Sequence, residues 1–172
     1  MGSRSMTRVE EQELKRVFAM LCSFSEKHKV SSKLVPLKVR RERIYNHKKK
    51  PEDLIVFDLN GKAMKEEDID EELITLESEI AGLESQMGQV EEEASDRITI
   101  KDLQECLKKL GKVTTKKEVE DMVWEVDENL DGEVDWDEFD LTFQRNIADT
   151  TGLEPSQLFT LIQFLVYDRD ER

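Results

Sequence analysis

The chain has 172 residues, 37% of them hydrophobic and 38% charged, with a net charge of −14. That length holds one or two small domains, and so heavy a charge load suits helices with wet faces. Two cysteines are too few for a disulfide framework. No apolar run approaches the roughly 20 residues of a membrane span. Without a Cys-x-x-Cys pair, a glycine-rich phosphate loop or a nucleophile elbow, no catalytic role is expected.

The charge is unevenly spread. Residues 27–50 carry ten Lys/Arg against Glu42, a local +9, while residues 1–26 cancel. Against −14 overall, that leaves −23 on residues 51–172. The chain reads as an acidic body with a basic segment.

In chain order, residues 1–5 read as a cloning remnant. Residues 6–63 form an N-terminal helix and a basic linker. The helix, over 7–28, places Leu14, Val17, Phe18, Leu21 and Phe24 on one face. Ser31, Ser32 and Pro36 are expected to break it. The basic segment runs from Lys38 to Lys50. It could meet an acidic surface, such as anionic lipid or the tail of a cytoskeletal polymer, lie on the chain's own acidic body, or stay solvated. With Tyr45 its one aromatic, nucleic acid is not favoured. Leu54, Ile55, Val56 and Phe57 read as a short strand closed by Asn60 and Gly61, pairing with 37–39 or 44–45 as a small hairpin.

Residues 64–93 form a long helix. Ile69, Leu73, Leu76, Ile80, Leu83, Met87 and Val90 are spaced alternately by four and three, a heptad seam. Either a coiled-coil partner engages it, through Ile69, Leu73, Leu76 and Ile80, or the helix at 7–28 covers it.

Residues 127–138 carry the chemistry. Asp127, Asn129, Asp131, Asp135 and Glu138 supply side-chain oxygens at places 1, 3, 5, 9 and 12. Glu133 offers a backbone carbonyl at place 7, and Gly132 stands at place 6, where the chain turns sharply. A hard cation taking about six to eight oxygens fits this spacing, which makes Ca²⁺ the expected cofactor, with Mg²⁺ as competitor.

The stretch resembles the loop of the EF-hand superfamily, calmodulin-like proteins in particular. The resemblance implies an all-α fold in which a paired EF-hand lobe at 83–146 carries a short β bridge between its loops, preceded by the long coiled-coil-like helix and the N-terminal helix. The usual 36-residue repeat places a first loop at 91–102. Leu83, Met87 and Val90 then stand before it where Val119, Val123 and Val126 stand before the second, and Ile98 and Val134 occupy the bridge positions. Loop 91–102 departs from the pattern: Glu91, Glu93 and Ser95 fill places 1, 3 and 5, Asp96 replaces the glycine and Asp102 the closing Glu. One competent site is therefore expected. Residues 153–172 read as a helix and the start of a further hand, with Asp168 and Asp170 at its first places and the chain ending inside that loop. Trp124 reads as packed at a helix junction or as an anchor for a partner.

The expected function is a Ca²⁺-responsive adaptor, cytoplasmic with the cytoskeleton as one setting, whose opened lobe accepts an amphipathic helix. The helix at 155–167 or that at 7–28 is an internal occupant. The alternative is a structural coiled-coil scaffold in which the ion only stabilises the fold.

Overall fold

A computed structural model describes residues 6–49, 55–58 and 60–167, and these fall into two units. The first is assembled from the two ends of the chain, up to Ser25 and from Ala94 onward; the second is the intervening stretch Glu26–Glu93.

The first unit is the all-α lobe. Helix α1 (Arg8–Leu21) opens on a capping box in which the Thr7 hydroxyl accepts the Glu10 N–H at 3.2 Å and Glu10 accepts the Thr7 N–H at 2.8 Å. It buries Leu14, Val17, Phe18 and Leu21, the face its periodicity marked. The expected helix 7–28 is interrupted at Ser23, whose φ of 57° lies in the left-handed region.

The two-residue strand β1 (Ile98–Thr99) pairs antiparallel with β2 (Glu133–Val134), Ile98 facing Val134. This is the interloop bridge expected from the sequence. Helices α4 (Ile100–Lys109), α5 (Lys116–Trp124) and α6 (Trp136–Ala148) each begin on a capping box, at Thr99, Thr115 and Asp135. One core joins Ile98, Leu103, Val119, Val123, Val134, Phe139 and Phe143 with α1. Helix α7 (Gln157–Tyr167) adds Leu158, Leu161, Ile162, Leu165 and Val166 to it. Phe18 packs edge-on against both Trp136 and Phe139, with ring centroids 5.4 and 5.2 Å apart.

This core corrects the expected entering helix of the first hand. Leu83, Met87 and Val90 are not part of it and are half-exposed. Leu14, Phe18 and Leu21 take their place, eight, four and one residues before Cys22. The expectation assumed a contiguous hand, whereas helix and loop are separated here by residues 26–93. Two hydrogen bonds join the separated pieces: Ser95 N–H to Ser23 Oγ at 3.0 Å and Ser25 N–H to Asp102 Oδ1 at 2.8 Å.

The intervening unit is built on α2 (Phe24–Lys49) and α3 (Glu66–Glu92). Helix α2 runs through Pro36, against the expected break. Proline cannot donate to the carbonyl four residues back, but Ser32 and Pro36 both face solvent, where water can satisfy that carbonyl. Ile69, Leu73, Leu76 and Ile80 are buried. Ile44 of α2 and Val56 share a cluster with Ile69, Leu73 and Leu76. Ile69, Leu73 and Leu76 of the seam thus have cover from within this unit.

The basic face of α2 lies on the acidic face of α3. Arg40 holds Glu72 through two bonds of 2.7 and 2.9 Å, Lys38 pairs with Glu84 at 2.7 Å, Lys48 pairs with Asp70, and Tyr45 donates to Glu77. Of the three readings of the basic segment, contact with the chain's own acidic residues is the one observed. The hairpin is local: Phe57 bridges to Ala63, and Met64 N–H donates to the Val56 carbonyl at 2.9 Å across a turn at Gly61. Expected partners at 37–39 and 44–45 are replaced by the turn's own far side. Leu54 and Lys50 lie outside the described residues, as do Asp168 and Asp170.

Candidate metal centre

Residues 127–138 follow α5 and run to the third residue of α6. The Asp127 N–H donates to the Val123 carbonyl at 2.9 Å, ending the helix. Gly132, with φ of 82°, supplies the sharp turn.

The loop's own backbone orients its oxygens. Asp127 accepts the N–H groups of Asp131 and Gly132 at 3.2 and 2.8 Å. Asn129 Oδ1 accepts the Asp131 N–H at 2.9 Å, and Asp131 Oδ1 accepts the Glu133 N–H at 3.0 Å. Asp135, the N-cap of α6, accepts the Glu138 N–H at 3.0 Å. Each carboxylate is fixed from behind by one or two donors and keeps further lone pairs.

Glu138 behaves differently. Its Oε1 reaches back to accept the N–H groups of Glu128 and Asn129 at 2.9 and 3.2 Å, and its Oε2 accepts that of Asp135 at 3.0 Å. Asp127 and Glu138 are buried, 7% and 6% exposed. A buried carboxylate is costly unless hydrogen bonds or a cation offset its desolvation. Among the described residues, no three of His, Cys, Asp or Glu are gathered closely enough to hold a metal. The loop thus places and orients its donors without converging them.

The donor chemistry fits a calcium ion: oxygens alone, mixed carboxylate, amide and carbonyl, in a loop with one glycine turn. The expected ligands Asp127, Asn129, Asp131, Asp135 and Glu138, with the Glu133 carbonyl, all belong to this one loop. The segment 91–102 does not form a comparable loop. Glu91 lies in the last turn of α3 and Glu93 caps it, and both are exposed. Asp102 is buried, with Oδ1 taken by Ser25 N–H and Oδ2 by the Thr99 N–H and hydroxyl at 3.1 and 2.7 Å. It serves as a cap and a tie.

Two features escaped the sequence. Nη1 of Arg97, just before β1, pairs with Asp131 Oδ2. Asp131 accordingly holds the Arg97 guanidinium above its ordinary pKa, against a smaller opposing effect of burial. Of the two readings of Trp124, packing at a helix junction is not seen, since the residue is 72% exposed.

Helix α7 is tied to the lobe at both ends. Asn146 Nδ2 donates to the Pro155 carbonyl and Arg16 Nη2 to the Leu165 carbonyl, each at 3.0 Å. Phe159 packs on Phe143, with centroids 5.5 Å apart.

Residues 94–140 match the EF-hand domain pair family. The match begins where the first unit resumes after the intervening stretch. A 50-residue segment is 40% identical to the "Probable calcium-binding protein CML13" of Oryza sativa subsp. japonica, covering 29% of this chain and 30% of that protein. The chain therefore spans less than a third of the length of the curated relative it matches. No solved structure matches the chain. Among the described residues, no helix is long and apolar enough to cross a membrane. The bridged loops, the glycine-turned oxygen loop and the family match together mark residues 94–140 as similar to an EF-hand pair, with a calmodulin-like relative.

Proposed function

We propose that this protein is a calcium-binding adaptor with one competent site, formed by the side chains of Asp127, Asn129, Asp131, Asp135 and Glu138 and the Glu133 carbonyl. The observation that carries the reading is Glu138. Its buried carboxylate is folded back over the start of the loop, where it spans residues 128, 129 and 135 through hydrogen bonds. Bound calcium would draw the carboxylates together and offset their mutual repulsion. Glu138 would exchange its N–H partners for the cation. As the third residue of α6, it would draw that helix with it.

Helix α6 also carries Phe143, which packs on Phe159 of α7, and Asn146, which holds the Pro155 carbonyl just before it. The apolar face of α7 occupies the lobe as a partner's amphipathic helix would. In this reading, a movement of α6 loosens an internal occupant and exposes the lobe to a protein partner. The scaffold alternative is disfavoured because Ile69, Leu73 and Leu76 already share a buried cluster with Ile44 and Val56 of the second unit.

Calorimetric titration of calcium tests the site. One binding event is expected, in the range of roughly 10⁻⁷–10⁻⁵ M typical of sensor loops, and Glu138→Gln should remove most of the affinity. Two equal events would overturn the single-site reading. An apolar dye should bind more strongly on calcium addition; an unchanged signal would leave calcium a structural role only.

A further inference from the structure

The two oxygens of Asp131, at place 5 of the loop, are engaged differently. Oδ1 accepts the Glu133 N–H at 3.0 Å, a bond compatible with ligation. Oδ2 is held by the Arg97 guanidinium. Arg97 comes from the other hand. It immediately precedes β1, and the pairing of Ile98 with Val134 and of Thr99 with Glu133 anchors it beside the calcium loop. Asp96 and Asp135 act on its charge in addition to Asp131. The first hand therefore sends a fixed positive charge into the ligand set of the second.

Both side chains are a little over a third exposed, 37% and 36%. An exposed ion pair of this kind contributes little to folding. Its effect on ion binding is larger in relative terms, because the cation needs the same carboxylate. Arginine cannot escape by deprotonation, so the guanidinium must be displaced or its charge tolerated next to a divalent ion.

We propose that Arg97 is a tethered competitor of calcium: it holds the Asp131 carboxylate until the ion displaces it, and so sets the calcium threshold of the loop at 127–138. This inference rests on the reading of that loop as the calcium site. It predicts that two measurements part company. Removing Arg97 should tighten calcium binding while leaving the calcium-free protein equally or less stable. A residue that merely braced the loop would lower both.

Calcium titrations of the full chain as wild type, Arg97→Gln, Arg97→Lys and Arg145→Gln test it. Arg97→Gln should bind calcium roughly 2- to 5-fold more tightly, the equivalent of one exposed ion pair, and the gain should shrink as salt is raised. Arg97→Lys, which keeps the charge but not the planar fork, should fall between. Arg145 pairs with Glu128 at 2.9 Å, at place 2 of the loop, which supplies no side-chain ligand. Arg145→Gln makes the same change in net charge and should have a smaller effect. Equal gains from Arg97→Gln and Arg145→Gln would reduce the effect to general electrostatics and overturn the proposal, as would unchanged or weaker binding by Arg97→Gln. Glu138→Gln separates the two readings: if it leaves wild-type binding intact, the site assignment fails and the Arg97 inference fails with it. If it abolishes binding while Arg97→Gln has no effect, only the inference about Arg97 falls.

Discussion

The Asp102 carboxylate accepts the backbone N–H of Ser25 at 2.8 Å, across 77 positions of sequence. With the bond from Ser95 N–H to Ser23 Oγ, it ties the end of the N-terminal helix to the loop that follows the long helix. The first hand is closed by these contacts, although residues 26–93 separate its parts.

The stretch 26–93 should therefore be dispensable for the lobe. The named members of the lobe core come from residues 14–24 and 98–166. A chain in which Ser25 is joined to Ala94 through a short Gly/Ser linker should fold cooperatively and keep its calcium titration. Circular dichroism and thermal melting check this. A molten or aggregated product would show that the lobe needs the second unit.

Substitutions should identify the entering helix. Leu14 is fully buried in the lobe core. Leu14→Ala should cost about 2–5 kcal/mol. Leu83, half-exposed and outside that core, should cost under about 1 kcal/mol on the same change. Urea denaturation of the two variants decides it, and a reversed order would restore Leu83 to the hand.

Leu130 has φ of 61° and is 74% exposed. A leucine there carries left-handed strain with no packing to offset it. Leu130→Asn should stabilise the calcium-free protein by about 1 kcal/mol, since asparagine tolerates that region better. A lower urea midpoint would contradict this.

Burial pushes the Cys106 thiol up to about 11 from an ordinary value of 9.0. The charged form is the disfavoured one, so the native state keeps its proton longer than the unfolded chain. The associated stability is complete below about pH 9 and is lost as pH rises through about 11, on the order of 3 kcal/mol in all. Denaturation of wild type and Cys106→Ala at neutral and alkaline pH should show their difference shifting by that amount. A thiol reagent at pH 8 should modify Cys106 only as the protein unfolds.

What the residues alone specified was local. The glycine and alternating oxygens of 127–138, the capping box Thr115/Glu118 and the apolar faces of 14–21 and 158–166 follow from helical period and turn chemistry, which operate over a few neighbouring positions. Tertiary structure decided which surfaces meet. The heptad seam announces a partner but not its identity, because burial of leucine and isoleucine is non-directional; Ile44 and Val56 join Ile69, Leu73 and Leu76. The spacing before Cys22 fits an entering helix as well as that before Glu91 does. Counting along the chain favours the contiguous choice, whereas packing favours whichever apolar face reaches Ile98 and Phe139. Arg97 has no legible role in sequence, since its partner lies 34 residues away and is brought to it by the β bridge.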